Sequence, residues 1–368
     1  MTPDKPATIC LCMIVRDEAH VITRCLDSVR PYIDSWLVAD TGSVDDTCVT
    51  VRAYFKAAGI PGRLVHHKWE NFGHNRTFAV AEAMKNGCDY LLVIDADETL
   101  HVDMPECLRT LQAPAYRIET HFGTMVYPRL HLMRTDRSWR YVGVIHEYPV
   151  ADPPAPEVLL PGLHVETDGR GARGKRADKA ERDLAVLQKA VVDEPDNPRY
   201  WFYLAQTYEV CKRLDEATAA YMKRTTMGDY HEEIWYSFYR TAHIAGTRDQ
   251  WPIAVLRYLE AFSFDKTRAE PLYWLAVGYH NRNLDHMALL FLEQAVLINK
   301  PASALFVEPA VYDYLRWIHY CICLHNTGQR DDARELAAKV LLAGKAPEQY
   351  LAVLKRIVEP TDQGPVHA

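Results

Sequence analysis

Two carboxylates set two residues apart, Asp95 and Asp97, follow the apolar run Tyr90-Leu91-Leu92-Val93-Ile94. Gathering like charges at the end of a buried strand is costly. A divalent cation removes that cost, and hard oxygen donors of this kind suit Mg2+ or Mn2+. Such an ion bridges two phosphates and stabilises a diphosphate leaving group. Further acids occupy comparable positions: Asp17 and Glu18 follow Ile9-Cys10-Leu11-Cys12-Met13-Ile14-Val15, and Asp40 follows Trp36-Leu37-Val38-Ala39. The segment Gly169 to Arg176 adds positive charge through Arg170, Arg173, Lys175 and Arg176 among its glycines. That composition predicts a mobile lid that orders over a diphosphate and excludes water, with a plain interdomain linker as the alternative.

These residues need elements to hold them. The run Ile9 to Val15 reads as a strand buried on both faces. After it, Val21, Ile22, Cys25, Leu26 and Val29 recur with helical period, and Pro31 ends the helix. Trp36 to Ala39 is the next strand, and Asp46 or Thr47 opens a second helix that closes near Gly59 and Pro61. Leu64-Val65 forms a third strand, a helix covers Phe78 to Met84, and Tyr90 to Ile94 is a fourth strand. Strands alternating with helices predict a mostly parallel sheet, whose ligands sit beyond the carboxyl ends of its strands. Asp17, Asp40 and Asp95 fall at those ends. From Ala115 to Glu166 the pattern becomes strand-like.

The remainder is helical and repetitive. Tyr208 to Ala217, Tyr279 to Ala288 and Leu324 to Ala333 share one template, a polar turn between a bulky residue and an alanine nine positions later. With a degenerate copy ending at Ala254, the alanines are 37, 34 and 45 residues apart. This resembles tetratricopeptide repeats, helix pairs of about 34 residues whose small residues permit close approach.

The whole chain of 368 residues carries 42 Lys+Arg against 49 Asp+Glu, a net charge of −7. That balance argues against a nucleic-acid partner. No apolar run approaches a membrane span, and no secretory leader is apparent. Nine cysteines without a CxxC pair predict buried thiols in a reducing cytoplasm.

The motifs together resemble a known family. MIVRDE (Met13 to Glu18), ADTGSVDDT (Ala39 to Thr47), NRTFAV (Asn75 to Val80) and VIDADE (Val93 to Glu98) are similar to those of family-2-type GT-A glycosyltransferases. YVGVIHE (Tyr141 to Glu147) and His164 resemble a bacterial subgroup that carries tetratricopeptide repeats after the catalytic domain. The resemblance implies an α/β fold: a GT-A nucleotide-binding domain with a mostly parallel sheet over residues 1–168, then an all-α helical-repeat domain. The basic loop or linker covers 169–178, the repeats 179–358 and a flexible tail 359–368.

It also implies inverting transfer of a sugar from a nucleoside diphosphate, with uridine the common base, to an acceptor such as a peptide, a protein or a surface glycan precursor. Asp40 would read the base, Asp17 and Glu18 would lie beside that pocket, and Arg76 would contact the acidic cluster or the diphosphate. Asp95 would sit near ribose and metal, Asp97 would bind Mn2+ or Mg2+, and His164 would complete the metal site. Inversion needs one base across the sugar from the leaving group. Glu147 matches that position, with His146 orienting it or touching phosphate. Trp139, Tyr141 and Tyr148 flank the pair and would suit a sugar's apolar face. The repeats would serve a protein partner or a second copy of the chain. The alternative function is a catalytically inactive sugar-nucleotide-binding scaffold. A nucleotidyltransferase would want a Gly-rich phosphate loop after the first strand, where Arg16-Asp17-Glu18-Ala19 stands instead.

Overall fold

The computed structural model describes residues 6–123, 125–172, 178–301, 305–359 and 364–367. The chain divides into two compact units, Met1–Ala190 and Val191–Ala368. In the first unit the strands are β1 (Ile9–Val15), β2 (Ser35–Asp40), β3 (Gly62–His66), β4 (Tyr90–Val93), β5 (Glu98–Val102), β6 (Ala115–Phe122), β7 (Met125–Arg134), β8 (Ser138–Val142), β9 (Tyr148–Asp152) and β10 (Glu157–Thr167). Eight of them form one sheet in the order β3-β2-β1-β4-β7-β6-β10-β5, and β8 pairs with β9. Strands β3, β2, β1 and β4 run parallel, as the alternating pattern requires. Helices α1 (Ile22–Val29), α2 (Thr47–Ala58) and α3 (Phe72–Met84) connect them.

Strand β1 explains why its run is apolar at every position. Ile9, Leu11, Met13 and Val15 pack with Ile22, Cys25, Leu26 and Val29 of α1 and with Val51 and Phe55 of α2. Cys10 and Cys12 point to the opposite face, against Ala79, Val80 and Ala83 of α3. Burial on both faces leaves only the strand ends for polar chemistry. Helix α3 starts at Phe72, six residues before the expected Phe78, because the Asn71 side chain accepts a hydrogen bond from His74 N at 2.8 Å.

Helix α4 (Lys179–Asp193) carries the chain across the division between units. The second unit pairs α5 (Pro198–Val210) with α6 (Leu214–Thr225), α7 (His231–Thr247) with α8 (Trp251–Phe264), α9 (Glu270–His280) with α10 (Asp285–Ala295) and α11 (Arg316–Asn326) with α12 (Arg330–Leu342), before α13 (Glu348–Val358). Ala217, Ala254, Ala288 and Ala333 are all 0% exposed, so the repeating small residue marks the close approach within each pair. Each inter-helix turn holds one left-handed residue: Lys212, Asp249, Asn283 and Gly328, with φ of 61°, 56°, 57° and 87°. No helix among the described residues is long and apolar enough to cross a membrane. None of the nine cysteines is in a disulfide.

Candidate active site

The loops beyond β1, β2 and β4 meet. Asp17 adopts φ 58°, its backbone N–H donates to Ser43 Oγ at 3.0 Å, and its Oδ1 accepts from Val44 N at 2.8 Å. Glu18 N donates to Thr47 Oγ1 at 2.8 Å. Asp46 occupies the N-cap position of α2 but makes no side-chain cap bond. Asp45 serves instead, since its carboxylate, one residue earlier, reaches both Ala19 N and Thr47 N at 3.0 Å.

Asp40 is 3% exposed. It accepts from Gly42 N at 3.2 Å, Ser43 N at 3.1 Å and His66 Nδ1 at 3.1 Å. Burial pushes its carboxyl up, but the hydrogen bonds from Ser43, His66 and Gly42 outweigh that and hold it below the ordinary carboxylate range. His66 is not among the residues that the sequence motifs point to. The parallel register pairs Asp40 with His66, which brings the imidazole to the carboxylate.

Asp95 and Asp97 lie in the turn between β4 and β5. Arg76 of α3 donates through Nη2 to Asp95 Oδ1 at 2.7 Å and through Nε to Glu147 Oε1 at 2.6 Å. One guanidinium therefore ties the turn after β4 to the loop between β8 and β9. Glu147 lies within that loop, just before β9. The loop is seated by α3: a Cβ on Gly73 would fall 2.3 Å from Gly143 O, and Thr77 Oγ1 accepts from Tyr141 N at 2.8 Å. Only glycine at 73 lets the helix approach the Tyr141–Gly143 backbone so closely. His146, with φ 53°, is exposed beside it.

A second arginine secures the cluster from below. Arg129 of β7 donates through Nη2 to both oxygens of Glu98 at 2.6 Å and lies 3.8 Å from Asp95 Oδ2. Glu98 in turn accepts from Asp95 N at 2.8 Å. His131 accepts from Arg129 Nε at 3.3 Å and donates through Nδ1 to Val93 O at 2.7 Å. Burial and the neighbouring Arg129 push His131 down to about 3, so it stays neutral. Sequence reading missed Arg129, His131 and Glu98 as a positioning set.

The electrostatics divide the acids. Burial raises Asp95, but Arg76 and Arg129 prevail and bring it down to about 2. Burial and the Asp95 charge raise Asp97. Burial raises Glu18 to about 7 against the Ala172 N–H bond, with Asp97, Asp95 and Asp45 adding to the rise. Glu18, Asp95 and Asp97 are thus an all-oxygen donor set whose mutual repulsion a hard cation would relieve, which fits Mg2+ or Mn2+. Among the described residues their oxygens do not form a group of three within 4.8 Å.

The start of the basic loop lies on this cluster. Gly171 N donates to Asp97 Oδ2 at 3.1 Å, and Ala172 N to both Glu18 oxygens at 3.2 Å. A Cβ on Gly171 would stand 2.8 Å from Asp97 Oδ2. Arg170 pairs with Asp168 at 2.6 Å and is 64% exposed, so its charge is engaged within the loop. Arg173, Lys175 and Arg176 lie outside the described residues. His164 is not brought to Asp97. It pairs with His101 on β5, three positions from Glu98, or about 10 Å along the strand. There its ring stacks between His101 at 4.7 Å and His121 at 4.4 Å. Trp139 is a core residue whose Nε1 donates to Arg134 O at 2.8 Å, not an acceptor platform. Tyr141 lies half-buried beneath Arg76 at 5.7 Å, and Tyr148 is 43% exposed.

The first unit is thus an α/β domain whose mixed, mostly parallel sheet carries a carboxylate cluster at its strand ends, joined by Arg76 to the Glu147 loop. Residues 10–153 match the family Glycosyl transferase family 2. Residues 10–153 are thus similar to family-2 glycosyltransferases, and paired helices follow them in the chain. The chain is 38% identical over 153 residues to a TPR repeat-containing protein of Synechococcus elongatus, a match covering 38% of this chain and 35% of that protein. It is 23% identical over 235 residues to the SPbeta prophage-derived glycosyltransferase SunS of Bacillus subtilis, covering 60% of this chain and 54% of that protein. The matches thus span about a third and about half of these relatives. Among solved structures, MamA aligns with a TM-score of 0.38 at 16% identity, over 45% of this chain and 90% of that one.

Proposed function

We propose that the protein is a metal-dependent, inverting glycosyltransferase that moves a sugar from a nucleoside diphosphate, UDP in the first instance, to a hydroxyl-bearing acceptor on a peptide, protein or glycan precursor. The observation that carries this reading is Arg76, which joins the Asp95-Ala96-Asp97 turn to Glu147 through bonds of 2.7 and 2.6 Å. Asp97 and Asp95, with Glu18 as a further oxygen donor, would hold Mn2+ or Mg2+, which neutralises charge on the leaving diphosphate. Glu147 takes the acceptor proton as the acceptor oxygen bonds to the sugar's anomeric carbon and the bond to diphosphate breaks. Arg76 engages Oε1 and so presents the other oxygen in a fixed direction relative to Asp95. Arg129, Glu98 and His131 hold Asp95 still while charge moves past it. Asp17 and Asp40 order the β1 and β2 loops that would receive the base and ribose. A scaffold that had lost catalysis would have no need to keep Glu147 and the carboxylate turn bound to one buried guanidinium.

The test is a thermal-shift screen of nucleoside-diphosphate sugars with and without Mn2+. A ligand that binds only the native state raises the midpoint. Stabilisation by one base series in the presence of Mn2+, lost in Asp97→Ala, is expected. No stabilisation by any donor would refute the reading.

A further inference from the structure

The second unit contains a mixed cluster that glycosyl transfer does not use. His280 ends α9, Asp285 opens α10, and Cys323 faces both from α11. Their ligand atoms all lie within 4.8 Å of one another. His280 and Cys323 are 3% and 0% exposed, and the Asp285 side chain is 15% exposed. Asp285 Oδ1 is 2.5 Å from His280 Nδ1 and 3.4 Å from Cys323 Sγ, and Sγ is 4.0 Å from Nδ1.

A tetrahedral zinc ion, with bonds of about 2.0 Å to N and O and about 2.3 Å to S, sets its donors about 3.3 Å (N to O) and about 3.5 Å (O to S and N to S) apart. The two separations to sulfur already lie within about 0.5 Å of those values. The N to O pair must open by about 0.8 Å as the ion replaces the hydrogen between them.

The surroundings supply an outer shell. Asp285 Oδ2 accepts from Asn326 Nδ2 at 2.9 Å. The same amide grips the backbone of Val366, donating to its carbonyl at 2.9 Å and accepting from its N–H at 2.8 Å. Val366 is 1% exposed, so the chain terminus is anchored against the cluster. The next residue, His367, is exposed and has its ring centre 5.5 Å from that of His280. Two imidazoles on one tetrahedral ion have centres about 5 Å apart. His319, at 6.1 Å from His280, is already bonded to Leu315 O.

We propose that His280, Asp285 and Cys323 form a binding site for a borderline-soft divalent cation of the zinc class, with His367 as fourth donor, which staples the α9–α10 turn to α11 and to the chain terminus. A thiolate and an imidazole select such an ion over Mg2+ or Ca2+. Asn326 orients Asp285 as an outer-shell partner orients a ligand. The site lies wholly within the second unit and does not depend on the transferase reading.

The test is titration of the chelator-treated full chain with Co2+. Thiolate ligation in a tetrahedral field gives a sulfur-to-cobalt charge-transfer band and strong visible bands, which an all-oxygen site does not give. One equivalent per chain is expected, displaced by Zn2+, retained in Cys48→Ser, lost in Cys323→Ser and in Asp285→Asn, and weakened about tenfold in His367→Ala. Asp285→Asn keeps the shape of a partly exposed residue, so it reports even if Cys323→Ser fails to fold. No charge-transfer band in the wild type, or a band that survives Cys323→Ser or Asp285→Asn, would overturn the proposal.

Discussion

Replacing Arg76 by methionine keeps an unbranched apolar stem and removes both of its ion pairs. The two carboxylates it serves, Asp95 and Glu147, are then left in a pocket where the arginine itself was 12% exposed. The fall of Asp95 from the ordinary 3.8 to about 2, at about 1.36 kcal/mol per pH unit, is worth about 2.5 kcal/mol at neutral pH. Arg129 retains part of that, and uncompensated Glu147 adds to the loss. Breaking a buried pair from one side typically costs about 3–5 kcal/mol. We therefore expect Arg76→Met to lose about 2–4 kcal/mol, or roughly 5–10 °C in the melting of the first unit. The pH dependence has a definite sign. A depressed carboxyl contributes stability that is present above pH 3.8 and disappears as pH falls through about 2. The gap between wild type and variant should thus be full at pH 7 and narrow below pH 4. Lysine should not rescue, because one ammonium cannot reproduce two diverging N–H bonds. Calorimetric melts of both proteins at several pH values are the assay. A variant that melts with the wild type at pH 7, or a gap that does not change with pH, would refute the reasoning.

Asp97→Ala should abolish Mn2+-dependent donor binding, measured by calorimetric titration, while stability stays within about 1 kcal/mol, because Asp97 holds no core contact. Glu18 is raised to about 7, so it favours folding below pH 4.5 and that contribution is lost as pH rises through about 7. Mn2+ should therefore raise the melting temperature more at pH 8 than at pH 5, and equal shifts would exclude Glu18 from the ion's shell. Gly171→Ala puts a methyl 2.8 Å from Asp97 Oδ2, so trypsin should cleave after Arg170 faster than in the wild type. Ala217→Leu forces bulk between α5 and α6 at a site 0% exposed. It should cost about 1–3 kcal/mol in the second unit, read by urea unfolding.

The parts of the site that were legible in the sequence are those fixed by local pattern. The unbroken apolar runs of β1, β2 and β4 announced buried strands, and the carboxylates just beyond them had to emerge together at one edge. The repeating alanines marked helix contacts for the same reason, since only a small residue fits there. What stayed hidden depends on pairing across the sheet. Arg129 and His131 belong to β7, an antiparallel insertion beside β4, and nothing in their local sequence says that they face Asp95. His66 reaches Asp40 only through the β2–β3 register. His164 stands on a face set by the pairing of β10 with β5 and β6, and that pairing aligns it with other histidines rather than with Asp97. The early start of α3 turned on one asparagine cap, and it put Arg76 on the first turns of a helix where it meets two acidic loops at once.

The central claim, that this domain transfers a sugar using Glu147 as base, is tested most directly by following nucleoside diphosphate release from the stabilising donor with Mn2+ present, in the wild type and in Glu147→Gln. Glutamine keeps the shape of the side chain but takes no proton. The account predicts slow release by the wild type, donor affinity in the variant near that of the wild type, and turnover down by about 10²-fold or more. Release at the wild-type rate from Glu147→Gln, with the donor bound equally well, would contradict it.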